Sequence, residues 1–420
     1  MSFSPTAEPR RIRDASILLF VFAWLIGLAG SVHPGTFGFG RGFEMASIAR
    51  CLTERGAFAN PFYPSITGPS AFVPPLYPLF LASLVKVFGW PLPGALIASI
   101  AFNAITAALM PRLSKMLIQD ARPGILAGCL WITAMPLMPE WDVSWTIAFL
   151  VLACVFTSQS MGAPGLPNVS KAWAAGLLGG IISLLNPVAL LPFALWVGFL
   201  LYSQRLPWKS AARYVAAVLL IGAACNAPWV IRNYRIWHAV VLRTNFGTTL
   251  YSSNNDCAVS SLVGVGQNGC YQQTYPAASD SELQLMKQLG EVAYDRQKTA
   301  AGMAWIGAHP LRFGRLTMQR IAEFWFPDPA LAGPRVYAIW LITLLSIPGI
   351  VLMIRHREKA SWFLLLLWIV YPPVYYVVYS NFRYRYPILW ASLLPAGYCL
   401  AHCGPLLIRP FRPAGFSRQA

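Results

Sequence analysis

The sequence predicts an all-α protein that crosses a membrane many times. Hydrophobic residues make up 56% of the chain and charged residues 11%, and the mean hydropathy is +0.53, which is not the composition of a soluble domain. Apolar stretches of about twenty residues recur along most of the chain, and a helix needs that length to cross a hydrocarbon core of about 30 Å. Helices are expected because lipid offers no partner to an unpaired backbone group.

Ten apolar stretches are predicted to span the membrane. The first follows a cluster of arginines and has no small-residue cleavage site, so it is predicted to remain in the protein as an anchor. The ten are 16–32, 94–111, 124–139, 145–161, 172–186, 188–203, 212–229, 336–354, 361–380 and 386–407.

The basic residues give the orientation. They occur in short groups beside the apolar stretches, where Lys and Arg mark the cytoplasmic side. Both termini are therefore predicted to be cytoplasmic, together with Arg112, Lys115 and Arg122; Lys171; Arg205, Lys209 and Arg213; Arg355, Arg357 and Lys359; and Arg409, Arg412 and Arg418. A formal charge of +17 distributed in this way does not indicate a nucleic-acid partner, and none is expected.

These assignments agree only if an eleventh apolar stretch, 72–90, does not cross the membrane fully. Pro74, Pro75 and Pro78 lie near its start, and because proline breaks helices, a re-entrant or interfacial helix is predicted. The alternative is that the basic group 112–115 lies outside, against the usual bias.

The predicted topology divides the chain into three parts. A transmembrane module, 1–229, contains the first outer loop, 33–90. An extracytoplasmic loop domain, 230–335, follows, and membrane helices with a cytoplasmic tail occupy 336–420.

Both outer loops contain predicted helices. Residues 43–58 are predicted to form an interfacial helix with Glu44, Ile48, Cys51 and Arg55 along one stripe. In the large loop, residues 280–307 have the character of one soluble helix, with Ser279 or Ser281 as its N-cap.

Cys257 and Cys270 are candidates for a disulfide. They flank a stretch of the large loop rich in Ser, Gly and Asn, and a bridge there would require an oxidising compartment. The alternative of two free thiols stays open, because spacing alone does not prove a bridge.

Glu44 is the first candidate for a catalytic residue. A carboxylate just beyond the first span could accept a proton from an incoming hydroxyl, or hold that hydroxyl together with a divalent cation. The alternative is a solvated helix face on which Glu44 pairs with Arg41 or Arg50.

Asp142 is the second candidate. It lies in the predicted outward turn 139–144, between Trp141 and Trp145, which resemble interface anchors. A solvated helix end is the alternative.

Two basic clusters are predicted to face outward, against the positive-inside bias: Arg232-Asn233-Tyr234-Arg235 with Arg243, and Arg383-Tyr384-Arg385. Arg232, Arg243, Arg383 and Arg385 are the candidates for binding a substrate. A guanidinium can bind a phosphate through two parallel hydrogen bonds, and lipid phosphates lie at the membrane surface. The alternative is that these side chains pair with ordinary lipid headgroups. No P-loop, zincin or nucleophile-elbow motif is present, so the usual ATPase, metalloprotease and serine-hydrolase classes are not indicated.

At these residues the sequence resembles the GT-C glycosyltransferases that use polyprenyl-phosphate sugars. It is more similar to the bacterial branch related to protein O-mannosyltransferases and the aminoarabinose transferase. The resemblance covers most of the chain and rests on the order of these segments: Phe43-Glu44-Met45, Ile48-Ala49-Arg50, Thr67-Gly68-Pro69-Ser70-Ala71, Pro74-Pro75-Leu76-Tyr77-Pro78, Phe88-Gly89, Ala227-Pro228-Trp229, Arg232-Asn233-Tyr234, Arg243-Thr244-Asn245-Phe246-Gly247, Leu289-Gly290-Glu291 with Ala293-Tyr294, His309-Pro310, Phe324-Trp325 and Arg383-Tyr384-Arg385-Tyr386-Pro387.

The resemblance implies a GT-C-like helix bundle in the bacterial inner membrane, with an active site facing the periplasm or exterior. It implies transfer of a sugar from a lipid phosphate to a glycan, lipid or protein acceptor, with inversion. Glu44 would be the base, Asp142 would assist at the acceptor, Tyr77 would orient a substrate, and the outward arginines would bind the phosphate. No metal ligand is assigned, although a divalent cation would be compatible.

Two other functions are compatible with the sequence. A transporter or flippase of a lipid-linked substrate could use the same arginines, although no repeated halves are visible. A non-catalytic scaffold with the same fold is suggested by one departure, since the superfamily generally carries Asp, often Asp-Glu, where this chain has Arg41-Gly42 and a lone Glu44.

Overall fold

The computed structural model describes residues 7–31, 44–89, 92–160, 172–329 and 335–407. Predictions for residues 33–43, including Arg41, for Lys171 and for the tail 408–420 lie outside the described residues. Helices make up most of the described chain: α1 Ala7–Gly30, α2 Glu44–Arg55, α3 Leu76–Phe88, α4 Leu92–Ile118, α5 Arg122–Ala134, α6 Val143–Ser160, α7 Ala172–Leu185, α8 Leu190–Ser203, α9 Trp208–Trp237, α10 Phe246–Ser253, α11 Leu262–Gln267, α12 Tyr271–Thr274, α13 Asp280–Leu289, α14 Glu291–Ala308, α15 Pro310–Trp325, α16 Arg335–Arg355, α17 Ala360–Val370, α18 Pro373–Tyr376 and α19 Tyr386–Leu407.

The predicted class, an all-α polytopic membrane protein, is confirmed. Among the described helices, four are long and apolar enough to cross a membrane, within α1, α4, α9 and α16, and several shorter apolar helices pack with them. Residues exposed on these helices are mostly hydrophobic, such as Leu219 and Leu220 of α9. An apolar surface of this kind matches lipid as its surroundings.

The membrane helices pack closely through small residues. Helix α19 packs against α16 and α5, while α1 packs against α4 and α7 against α9. A Cβ at Gly349 of α16 would lie 1.9 Å from the carbonyl oxygen of Pro395, and one at Gly397 would lie 2.1 Å from that of Pro123. Glycine is therefore required where these backbones meet, as is common between helices in lipid.

Proline moves two helix ends away from the predicted span ends. The span predicted at 124–139 ends as a helix at Ala134, because Pro136 and Pro139 follow. The span predicted at 361–380 is divided at Pro372 and Pro373 into α17 and α18. Helix α9 instead continues to Trp237, beyond the predicted boundary at 229.

The eleventh apolar stretch contains α3, a helix of 13 residues and thus roughly 20 Å long. Its prolines do not break it, because Pro74 and Pro75 precede the helix and Pro78 lies in its first turn, where a missing N–H costs little. Whether α3 enters the membrane partway or crosses it stays a prediction.

Helix α2 is more deeply buried than an interfacial helix was expected to be. Every residue from Glu44 to Ala49 is buried, and the helix packs against α3. The predicted stripe is divided, because Ile48 and Cys51 are buried whereas Arg55 is exposed.

Residues 238–329, predicted to lie outside the membrane and called the outer region below, differ from the prediction at one glycine. Residues 280–307 form two helices, α13 and α14, because Gly290 adopts a φ of +77° between them. The Ser279 side chain caps α13 by accepting a hydrogen bond from the amide of Glu282, at 3.4 Å.

In the structure Cys257 and Cys270 are joined by a disulfide, with their Cα atoms 5.4 Å apart. The segment that they close pairs with the chain leading to the last helix. The amide of Leu262 donates to the carbonyl of Ser380 at 3.0 Å, and the amide of Ser380 donates to the carbonyl of Ser260 at 2.6 Å.

Candidate functional site

A cavity of about 590 Å³ lies where the outer loops meet the helix bundle. Four charged side chains line it: Glu44, Asp142, Arg243 and Arg383. They come from four separate parts of the chain, namely the first outer loop, the turn before α6, the segment after α9 and the turn before α19. All four were predicted from the sequence as site residues, and the fold brings them to one chamber.

Glu44 is the first residue of α2 and is only 5% exposed. The hydroxyl of Tyr275 donates a hydrogen bond to its Oε1 at 2.5 Å. Burial raises the pKa of Glu44, while the Tyr275 hydrogen bond and the charges of Arg383 and Arg243 act in the opposite direction. The result is a carboxyl group with a raised proton affinity on the wall of a cavity, which suits a general base.

Asp142 ends the turn before α6 and is 7% exposed. The hydroxyl of Thr146 donates to its Oδ2 at 3.0 Å. Burial raises the pKa of Asp142 as well, and the charges of Arg243 and Arg383 oppose this effect. The two carboxyl groups therefore share the same pair of cations.

Arg383 lies in a 3₁₀ turn, Phe382–Arg385, that leads into α19. Its guanidinium stacks on the ring of Trp141, with the Cζ atom 3.5 Å from the ring centroid. Within the described part of the chain, its Nε is buried without a hydrogen-bond acceptor. Stacking fixes the plane of the guanidinium and leaves its N–H edge available to an anion.

Arg243 approaches the cavity from the segment between α9 and α10. Its Nε donates to the carbonyl of Phe72 at 3.3 Å, and both residues line the cavity. This contact fixes the arginine to the first outer loop.

Three of the predicted substrate-binding residues do not line the cavity. The hydroxyl of Tyr77, which is 1% exposed, donates to the carbonyl of Pro139 at 2.5 Å. Tyr77 thus supports the turn that carries Asp142 and does not itself reach a substrate in the cavity.

Arg232 is used to hold the first outer loop. Its guanidinium donates to the carbonyls of Ser70 and Phe58, each at 2.7 Å, and lies over the ring of Trp229 at 4.8 Å. The terminal nitrogens of the Arg232 guanidinium, which were expected to bind phosphate, are therefore engaged by backbone carbonyls.

Arg385 is 2% exposed and points into the protein. It donates to the carbonyl of Trp325 at 2.8 Å and to the hydroxyl of Thr343 at 2.6 Å, so that it connects α15 and α16 to the start of α19. The structure therefore gives it a place in the packing, away from the cavity.

The two tryptophans beside Asp142 were predicted to resemble interface anchors, and the structure shows both half-buried against other side chains of the protein. Trp141 lies under Arg383 at the cavity wall. Trp145 packs against Phe80 and Phe102, with ring centroids 4.4 Å apart in each pair.

Sequence reasoning missed the aromatic wall of the cavity. Tyr275, Tyr375, Tyr379 and Tyr384 line it beside the charged groups. Tyr375 and Tyr384 stack at 4.4 Å between ring centroids. A cluster of tyrosines after Pro373 was the available signal, but apolar membrane segments commonly carry such residues near their ends.

The described residues of the cavity do not form a complete metal site. Among the residues that the structure describes, no three His, Cys, Asp or Glu side chains lie close enough together to hold an ion. The two cavity carboxyl groups instead face two guanidinium groups. No step is assigned to a metal.

No family model and no curated protein matches this chain. Among solved structures, it is similar to the oligosaccharyltransferase AglB of the archaeon Archaeoglobus fulgidus in complex with an inhibitory peptide and a dolichol-phosphate. The TM-score is 0.52 at 13% identity, over 96% of this chain and 52% of that one. The oligosaccharyltransferase of the same organism is similar in its complex with Zn and sulfate, with a TM-score of 0.52 at 14% identity over 93% and 49% of the two chains. Its apo form gives a TM-score of 0.53 at 13% identity over 93% and 51%.

These likenesses support the GT-C fold to which the sequence resemblance pointed. They do not support the narrower bacterial branch. The chain spans about half the length of the archaeal structures that it matches.

Proposed function

We propose that this protein is an integral membrane glycosyltransferase. It transfers a sugar from a polyprenyl-phosphate carrier to an acceptor hydroxyl on the extracytoplasmic side of the membrane, with inversion. The observation that carries the proposal is that two buried carboxyl groups and two guanidinium groups line one cavity, formed by Glu44, Asp142, Arg243 and Arg383.

The reaction is a single displacement. The acceptor oxygen forms a bond to the anomeric carbon while the bond from that carbon to the phosphate oxygen breaks, and the hydroxyl proton passes to Glu44. The electron pair leaves with the polyprenyl phosphate, whose added negative charge Arg383 and Arg243 stabilise. Asp142 holds the acceptor from the other wall.

The rim of the cavity supports a donor carried by lipid. Val240 is 75% exposed and Val374 40% exposed, and both line the cavity together with the half-buried Val188. An apolar opening of this kind suits the hydrocarbon chain of a lipid phosphate better than it suits a water-soluble nucleotide sugar.

The disulfide supports the proposed orientation. Disulfides persist in oxidising compartments, so the bond between Cys257 and Cys270 favours the periplasmic or exterior side for the outer region. We propose that the protein lies in the bacterial inner membrane with both termini in the cytoplasm. The bacterial branch related to protein O-mannosyltransferases and the aminoarabinose transferase is the family that we propose.

The test is transfer from a radiolabelled polyprenyl-phosphate hexose by the full-length protein in lipid. Glu44→Gln keeps the shape of the side chain and removes the base, so a loss of roughly 10²–10⁴-fold in the rate of sugar release or transfer is expected. Glu54→Gln is the matched control, because Glu54 lies on the same helix but is exposed.

One outcome would refute the proposed activity, and another would refute only the proposed role of Glu44. Movement of intact lipid across the bilayer without bond cleavage, unaffected by Glu44→Gln, would indicate a transporter or flippase. Equal sugar release by wild type and Glu44→Gln would remove Glu44 from the reaction.

A further inference from the structure

Two carboxyl groups of α14 contact the segment that carries Arg243 into the cavity. Glu291 and Asp295 are one helical turn apart, so both side chains project from one face of α14. Neither lines the cavity, and the reaction proposed above does not use them.

Glu291 joins the two loop segments beside Arg243. Its Oε1 accepts hydrogen bonds from the amide of Ala71, at 2.6 Å, and from the hydroxyl of Thr244. The amide of Thr244 in turn donates to the carbonyl of Ala71 at 3.0 Å. Glu291 is 3% exposed, and burial raises its pKa to about 7. Burying a carboxyl group costs free energy, which indicates that the hydrogen bonds of Glu291 serve to hold these two segments together.

Asp295 holds the next part of the same segment. Its Oδ1 accepts hydrogen bonds from the amides of Gly247, at 2.8 Å, and Thr248, at 3.2 Å, in the first turn of α10. Those amides would otherwise lack partners at the start of a helix. The close packing of α10 on α14 depends on a glycine, since a Cβ at Gly247 would lie 1.9 Å from the carbonyl oxygen of Asp295.

We infer that Glu291 and Asp295 are positioning residues that set the guanidinium of Arg243 to bind the phosphate of the lipid donor. The carboxyl groups hold the chain that directly follows Arg243, Glu291 at the hydroxyl of Thr244 and Asp295 at the amide of Gly247. Through Ala71 they also fix the loop whose carbonyl at Phe72 accepts from the Arg243 Nε. The inference rests on the proposed function, because it requires a phosphate at Arg243.

The test measures binding of a C55 polyprenyl monophosphate to the full-length protein in nanodiscs. Glu291→Ala removes the acceptor, and a weakening of binding by about tenfold or more is expected, the scale of one charge-assisted hydrogen bond. Glu291→Gln keeps an acceptor oxygen for Ala71 and Thr244 and is expected to restore binding. Glu282→Gln is the control, since Glu282 pairs with Lys298 on α14 but does not touch the segment 243–248.

A double-mutant comparison separates positioning from general loss of stability. If Glu291 acts through Arg243, then Glu291→Ala has no further effect on binding once Arg243→Ala is present. Thr244→Val provides a second variant that removes the same hydrogen bond with little change of shape, should Glu291→Ala fail to fold.

The inference would be overturned if Glu291→Ala weakened binding of the lipid phosphate equally in the wild type and in the Arg243→Ala variant. It would also be overturned if neither Glu291→Ala nor Thr244→Val changed that binding. In either case, binding that depends on Arg243 would leave the proposed function intact. If Arg243→Ala did not affect binding of the lipid phosphate, the proposed role of Arg243 in binding phosphate would be overturned, and the inference with it.

Discussion

Gly247→Ala should disturb the site without touching a charged group. Gly247 lies in the first turn of α10, where the backbones of α10 and α14 meet. The added Cβ would lie 1.9 Å from the carbonyl oxygen of Asp295 and 2.8 Å from the amide nitrogen of Thr299. An ordinary contact begins near 3.4 Å, so the two helices must separate by about 1.5 Å (3.4 − 1.9).

The expected cost has two parts. Overpacking destabilises the protein by roughly 1–3 kcal/mol, because two of the three nearest atoms belong to the backbone and only the third, Oγ1 of Thr299, is on a side chain. The same shift moves Arg243 and Phe246, which line the cavity, and a misplacement of about 1 Å can lower a rate by about 10²-fold.

The assay pairs thermal unfolding in lipid with transfer from a labelled polyprenyl-phosphate hexose. Gly307→Ala is the matched control, because no heavy atom lies within 4 Å of its added Cβ. The reasoning would be refuted if Gly247→Ala matched Gly307→Ala in both melting temperature and transfer rate.

Three further predictions follow from the site and the outer region. Burial raises the pKa of Glu44 above the ordinary value of 4.5, and only the deprotonated carboxylate can act as the base, so kcat/KM should fall as pH falls through that raised pKa. A pH–rate profile in which kcat/KM falls only at or below pH 4.5 would contradict the role of Glu44 as the base. Arg383→Lys keeps the positive charge but loses the planar group stacked on Trp141, so kcat should fall by roughly 10²–10³-fold with little change in melting temperature. If the variant keeps the kcat of the wild type, Arg383 takes no part in the reaction. Replacing Cys257 and Cys270 by Ser should lower the free energy of unfolding by about 3 kcal/mol, which is the chain entropy that a bridge removes from the unfolded state when it closes a loop of this length. Peptide mapping of the wild type without reductant should find the two cysteines linked, and free alkylated thiols would exclude the bridge.

Glu44, Arg243 and Arg383 were predictable because each was unusual for its position along the chain, whereas Asp142 could equally have been a solvated helix end. An acid near a membrane surface and an arginine on the outer side both carry an energetic cost, and that cost suggested a function for Glu44 and Arg243. Charge bias cannot distinguish neighbouring residues, however. In the 3₁₀ turn Phe382–Arg385, side chains two positions apart point about 120° apart around the axis, so Arg383 reaches the cavity while Arg385 points into the protein.

Contacts between distant parts of the chain account for the other differences. Arg232 was expected at the substrate, but it donates to carbonyls of Phe58 and Ser70, more than 150 residues earlier in the chain. Tyr77 likewise donates to Pro139. Hydrophobic periodicity identifies a buried face but not which backbone carbonyl lies opposite it, so these partners were not predictable.

The positive φ of Gly290 was also missed, although Leu289-Gly290-Glu291 was noted as a motif. Glycine within a helical pattern often lowers helix stability without ending the helix, so the sequence favoured one long helix over two. The break begins α14 at Glu291, the residue that reaches Ala71 and Thr244.

The pairing of Ser260 and Leu262 with Ser380 limits how this protein can be engineered. The outer region supplies Tyr275 and the segment 240–249 to the cavity, and it is joined to the chain three residues before Arg383. A chimaera that exchanges only residues 230–335 would therefore replace part of the chamber and would have to form the pairing with Ser380 again. To change which acceptor the proposed enzyme prefers, residues 374–387 would have to be exchanged together with residues 230–335.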